Sequence, residues 1–351
     1  PSEQSQQCRW QEVTVLEDLR RNVAMVARRR TIVQLASIVA SVLVLGAATA
    51  SGQQVPRVRT PEERFANLKG YPFGPHYAEI NGLRMHYVDE GQATKGTMLL
   101  LHGEPSWSYL YRNLIPVFVQ AGYRTIAPDM IGFGKSDKVT DPQWYTVDAH
   151  VAMVRGLIER LDLRNVTLVV QDWGGPNGLI NAAEIPDRFS RLIILNTWLH
   201  HEGYQYTQAL RDWNARSQGV DFSRMGAGPW AQGSPDTPDT LAAAYGAPFP
   251  VGMPEAQVGA FRWPWMLPFK NPSEGAADRQ GRAYAALANW KKPAHVIFGE
   301  TDQVFNVAWG KEFAAHIPGA TFDAVPGGSH MVQETGAPLA QLILRRIAEE
   351  K

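Results

Sequence analysis

The residues of this chain best suited to chemistry are two aspartates and a histidine, each within a few residues of glycine at or after the end of an apolar run. In Leu168-Val169-Val170-Gln171-Asp172-Trp173-Gly174-Gly175 an apolar strand ends in Asp172, and glycines and a helical pattern follow. That is the layout of a sharp strand–turn–helix, where an exposed nucleophile needs small neighbours. Asp172 is open to two readings: a nucleophile that forms an ester, or a cap for the next helix. Two later loops, Gly299-Glu300-Thr301-Asp302 and Gly327-Gly328-Ser329-His330, each follow a strand-like run. Of nine histidines, only His330 lies in a glycine-bearing loop straight after the final strand. It reads as a general base, with a water-satisfied surface histidine as the alternative. Asp302 reads as its carboxylate partner, and Glu300, two residues away, is a rival. In Leu99-Leu100-Leu101-His102-Gly103-Glu104-Pro105 the loop after an earlier strand is where an oxyanion-hole N–H is expected, and His102 reads as a turn residue.

Those loops need strands to hold them. Residues 77–80 and 83–89, split by Asn81-Gly82, read as a hairpin. Runs at 98–101, 123–127, 166–171 and 192–195 have the length of buried parallel strands, with helical patterns such as 147–161 between them. Such alternation predicts a mainly parallel sheet covered on both faces. From about 197 to 289 the alternation stops in a region rich in Trp, Pro and Gly; strand-like segments resume at 294–299 and 321–325. A helical insertion between two strands of one sheet accounts for this. The order Asp172, Asp302, His330 is the nucleophile–acid–base order of α/β-hydrolases.

Composition narrows the field further. Lys plus Arg and Asp plus Glu are 34 each, which leaves no basic surplus for nucleic acid, and hydrophobic residues at 44% permit a large core. The single cysteine, Cys8, excludes an intrachain disulfide and a thiolate metal cluster. Arg28-Arg29-Arg30 precedes residues 31–50, which carry no formal charge and end in Ala48-Thr49-Ala50. Basic, apolar and small-residue regions in that order predict a signal peptide and a periplasmic or secreted protein, with a membrane anchor as the alternative. Met25 stands where a start would give an ordinary signal length. The expected organisation is therefore an extension over 1–50, a lead-in over 51–75, a core of 76–196 plus 290–351, and a cap over 197–289.

From about Tyr71 onward the chain resembles the haloalkane dehalogenases, in the branch whose acid follows the penultimate strand. The resemblance rests on His102-Gly103-Glu104-Pro105-Ser106-Trp107-Ser108-Tyr109-Leu110-Tyr111-Arg112, on Pro128-Asp129-Met130-Ile131-Gly132-Phe133-Gly134-Lys135-Ser136-Asp137 and on Gln171-Asp172-Trp173-Gly174-Gly175. Ala244-Tyr245-Gly246-Ala247-Pro248-Phe249-Pro250 and His330-Met331-Val332-Gln333-Glu334 match as well. It implies an α/β-hydrolase fold: an eight-stranded, mainly parallel sheet with helices on both faces and an inserted helical cap. It also implies Asp172 as nucleophile, His330 as base, Asp302 as its partner, and the amides of Glu104 and Trp173 as oxyanion hole. The indoles of Trp173 and Trp213 would hold the halide, with Trp198, Trp230 or Trp263 as alternatives to Trp213; a core tryptophan on a cap helix is the plainer reading of Trp213. The implied partners are a small halogenated aliphatic substrate, water and halide, acting on a monomer without metal or organic cofactor, nucleic acid or, after signal cleavage, membrane. Asn196 stands where another branch keeps its acid, and Phe261-Arg262-Trp263-Pro264-Trp265 is more aromatic than expected. Two other functions fit less well. An epoxide hydrolase shares the triad but takes its acid from cap tyrosines, here Tyr204, Tyr206, Tyr245 or Tyr284. A non-catalytic binding protein of this fold would have lost a triad member.

Overall fold

A computed structural model describes residues 55–224 and 228–350. The predicted signal segment over 1–50 lies outside the described residues. Among those residues, no helix is long and apolar enough to cross a membrane. No cluster of His, Cys, Asp and Glu suited to a metal is found among them either.

In chain order the strands are β1 (Arg57–Val58), β2 (His76–Ile80), β3 (Leu83–Glu90), β4 (Thr97–Leu101) and β5 (Arg124–Pro128). They are followed by β6 (Lys138–Val139), β7 (Val166–Asp172), β8 (Phe189–Thr197), β9 (Ala294–Gly299) and β10 (Thr321–Val325). Eight of them form one sheet in the order β10-β9-β8-β7-β4-β5-β3-β2, and β1 and β6 pair separately. Only the β2–β3 hairpin and the β3–β5 pairing are antiparallel within that sheet. Every residue of β4 and β7 is buried, as parallel strands covered on both faces require. The side chains alternate between two cores: Leu99, Leu101, Leu168 and Val170 enter one, and Met98, Leu100 and Val169 enter the other.

The helix Val147–Arg160 starts where the Thr146 hydroxyl accepts from the Ala149 N–H, and Val147, Val151, Val154, Leu157 and Ile158 turn to the sheet. Between β8 and β9 the chain builds a second layer with helices Gln208–Arg216, Pro238–Gly246 and Val258–Trp265. The last helix of this insertion, Ala277–Leu287, packs on the core helix Gly174–Glu184, and Arg279 reaches Glu184 and Asp148. It serves the sheet, although its sequence sits in the span expected to be cap. The lead-in is likewise bound on both sides. Phe65 and Tyr71 join the core, while Thr60 and Arg64 donate to the carbonyls of Pro248, Gly246 and Ala247 in the second layer.

Candidate active site

The carboxyl ends of the parallel strands point one way, and the loops leaving four of them converge. Glu104 follows β4, Asp172 ends β7, Asp302 follows β9 and His330 follows β10. Crevices at these strand ends are where ligands bind in open α/β sheets. Asp172 has φ of 49°, in the left-handed region that an aspartate adopts at a cost of about 1–3 kcal/mol. It therefore stands proud of the strand and does not cap the helix. Such a turn is possible because Gly174, two residues on, and Gly103, packed against Asp172, lack side chains. A Cβ on Gly174 would lie 2.2 Å from the Leu101 carbonyl oxygen, and one on Gly103 would lie 2.1 Å from Oδ1 of Asp172.

Oδ1 of Asp172 accepts from the Glu104 backbone N–H at 2.8 Å. Oδ2 is 3.7 Å from Nε2 of His330, too far for a hydrogen bond. Its two oxygens thus have different surroundings: one is held by a backbone amide, the other faces the imidazole. Nδ1 of His330 lies 3.1 Å from Oδ2 of Asp302. Asp302 is fixed in turn, since Oδ1 accepts from the Val304 N–H at 2.7 Å and Oδ2 from the Asn196 amide at 2.7 Å. Glu300 is exposed and meets the Gly327 N–H, so the structure gives the imidazole to Asp302.

Burial raises the Asp172 carboxyl above its ordinary range, although His330 and the nearby backbone amides of Trp173 and Glu104 pull the other way. For His330, burial disfavours the imidazolium, but Asp302 and then Asp172 outweigh it and the group moves up. Glu104 is pushed furthest. Its carboxyl is buried beside Asp172, and both effects hold it well above the usual carboxylate range against one opposing hydrogen bond from Trp213.

These groups line one cavity of about 320 Å³, at the small end of ligand pockets. Trp213, from the helix Gln208–Arg216, lines it with Trp173 and Trp230. The indole N–H of Trp213 donates to Oε2 of Glu104 at 2.9 Å. Two of the rival tryptophans have other places. Trp263 donates to Nε2 of His150, and Trp198 is fully buried, stacked on Phe305. Trp230 packs edge-on against Trp213 with ring centroids 4.9 Å apart.

None of the four cap tyrosines is among the residues lining the cavity. The Tyr206 hydroxyl meets Nδ1 of His200, the Tyr245 hydroxyl donates to Glu334, and Tyr284 is sandwiched between His201 and His316. Tyr204 packs edge-on against Tyr206 and Trp309. The site also uses side chains that sequence reasoning did not single out for their roles. Asn196 bridges Asp302 and the Gly299 N–H. Gln171 donates to the His330 carbonyl at 3.2 Å. The Glu104 side chain, not only its amide, belongs to the site. In the sequence Gln171 and Glu104 are marked only by lying inside the motif stretches, and Asn196 only by standing where another branch keeps its acid.

A sharp turn after a central parallel strand, an acid and a histidine on the last two strand loops, and a helical layer over them define an α/β-hydrolase with aspartate in the nucleophile position. The α/β hydrolase fold family matches residues 96–220. A haloalkane dehalogenase of Mycobacterium marinum is 41% identical over 295 residues, which cover 82% of this chain and 98% of the relative. One of Psychrobacter cryohalolentis is 38% identical over 300 residues, 83% and 97% of the two chains. The solved tetrameric haloalkane dehalogenase DpaA of Paraglaciecola agarilytica superposes with a TM-score of 0.77 at 36% identity, over 85% of this chain and 99% of its own. This chain belongs to the haloalkane dehalogenase family.

Proposed function

We propose that this dehalogenase cleaves a small haloalkane through an ester on Asp172, with His330 and Asp302 hydrolysing that ester. The observation that carries the assignment is the unequal bonding of the Asp172 carboxylate. With Oδ1 held by the Glu104 amide, Oδ2 is the oxygen free to attack a saturated carbon, expelling halide and forming the ester. An ether on serine would resist water, whereas an aspartyl ester can be hydrolysed. His330 then takes a proton from water, and Asp302 orients the ring and stabilises the imidazolium. As water adds to the ester carbon, negative charge grows on Oδ1, where the Glu104 amide already donates and the Trp173 amide would join it. The departing halide finds the indoles of Trp173 and Trp213 in a cavity of low dielectric.

The lining favours this reaction over epoxide opening, which needs an acid for the alkoxide; the four cap tyrosines are bonded or stacked outside the cavity. It also carries no arginine immediately after the nucleophile to hold a haloacid carboxylate, since Trp173-Gly174-Gly175-Pro176 stands there. The test is His330→Gln with 1,2-dibromoethane. Attack by an ionised carboxylate needs no base, so the variant should release about one bromide per site and stop, with the alkyl group on the peptide containing Asp172. No burst and no adduct, with a substrate the parent turns over, would refute the division of labour. We also propose export to the periplasm, on the strength of Arg28-Arg29-Arg30 and the uncharged run after it.

A further inference from the structure

The side chain of Glu104 has no part in the steps above, yet it is the most unusual carboxyl near them. It is buried, it lines the cavity, and Oε2 accepts the indole N–H of Trp213. Oε1 is buried with no hydrogen-bond partner among the described residues. Its own backbone N–H meanwhile donates to Asp172. One residue thus touches the nucleophile through its backbone and the halide-binding indole through its side chain.

We propose that Glu104 is the positioning residue of the halide site: as a neutral acid it holds the Trp213 N–H in place and yields it to the halide, whereas as a carboxylate it keeps the N–H and repels the anion. The inference rests on the reading of Trp213 as a halide ligand. A neutral acid is a modest acceptor, so exchanging it for a halide is a nearly even trade. A carboxylate makes a charge-assisted bond roughly twice as strong. It would also stand as a second fixed negative charge beside Asp172, in a cavity where water screens little. Burial beside Asp172 favours the neutral form, in line with the upward shift of this group. The other charged groups around the cavity are Asp302 and His330 from the strand loops and Asp212 and Arg216 from the Trp213 helix.

His330 also titrates and would itself draw halide when protonated, so the test removes it. Chloride affinity, read from quenching of tryptophan fluorescence, is measured for His330→Gln and for His330→Gln/Glu104→Gln between about pH 6 and pH 10. Glutamine keeps an oxygen for the indole and cannot ionise. The single variant should lose more than about tenfold in affinity as pH rises, equivalent to about 1.4 kcal/mol, and the double variant should stay flat. A flat single variant, or a double variant that still weakens, would overturn the proposal. Trp213→Phe added to His330→Gln tells the two failures apart: unchanged chloride affinity there would remove Trp213 from the halide site itself. Glu104→Ala should weaken chloride binding at low pH, where Glu104→Gln does not. Equal effects of the two substitutions would reduce Glu104 to a structural residue.

Discussion

Two buried carboxylates of this enzyme, Glu334 and Asp172, sit at opposite extremes of satisfaction. Glu334 accepts from both terminal nitrogens of Arg112 at 2.7 and 2.8 Å, from the Ser234 hydroxyl at 2.8 Å and from the Tyr245 hydroxyl. Arg112 also donates to Asp236. Ser234, Asp236 and Tyr245 lie in the segment between β8 and β9, so the cluster ties that layer to the loop four residues beyond His330. Asp172 by contrast meets no permanent cation among the described residues, and its Oδ2 faces an imidazole at 3.7 Å. The difference separates two uses of buried charge. A carboxylate whose acceptor sites are filled by a guanidinium and hydroxyls is a pin, because any departure leaves a bare charge. A carboxylate held on one oxygen only keeps the other for reaction.

The contrast is broken most completely at Asp172. Asp172→Ala should lower steady-state halide release by at least about 10⁴-fold, while thermal unfolding changes little, because the buried charge is removed but the left-handed backbone strain stays. Activity within tenfold of the parent would remove Asp172 from the nucleophile role.

Asp302→Ala should cost about 10³-fold in turnover, measured as the hydrolytic phase after the halide burst. Its pH profile carries the sign. In the parent, His330 is raised, so activity is lost as pH falls through a value above the ordinary imidazole range and the base becomes protonated. Without Asp302 the imidazolium loses its main support, and this acid limb should move to lower pH. A limb that stays in place would separate Asp302 from the base.

At the pin the effect should fall on stability instead. Arg112→Met leaves Glu334 buried and uncompensated, at a cost of about 3–5 kcal/mol in denaturant unfolding. The chemical step in the protein that remains folded should change far less than in the two variants above. A stable variant with normal unfolding would show that the hydroxyls of Ser234 and Tyr245 suffice.

The smallest effect is expected at the indole. Trp213→Phe keeps the ring and deletes one of the N–H groups proposed to hold the halide, so kcat for a chlorinated substrate should drop about tenfold, the order of one hydrogen bond to a charged group. A brominated substrate, with its better leaving group, should be affected less. Unchanged turnover of both would shift the role to Trp230.

How much of this was legible in the chain itself follows from the range of each interaction. The short apolar runs and their order sufficed for a mainly parallel sheet, because burial on both faces leaves a continuous apolar signature in β4, β7 and β9. Asp172, Asp302 and His330 could be named as candidates, since each ends or follows a strand in a glycine-bearing turn or loop. The choice of Asp302 over Glu300 needed the fold: two residues apart in a loop, they separate only because Val304 and Asn196 turn one inward and leave the other in solvent. The same holds for the tryptophans and tyrosines of the inserted layer. A composition rich in aromatics says that they pack, but the choice among indole N–H groups depends on contacts such as Trp263 with His150 and Trp213 with Glu104, 109 residues apart in the latter case. Local pattern determines strands and turns because propensity and periodicity act between near neighbours. Which oxygen of Asp172 is free, and which carboxyl meets which indole, was decided only when distant loops were brought within about 3 Å of one another, the range at which hydrogen bonds act.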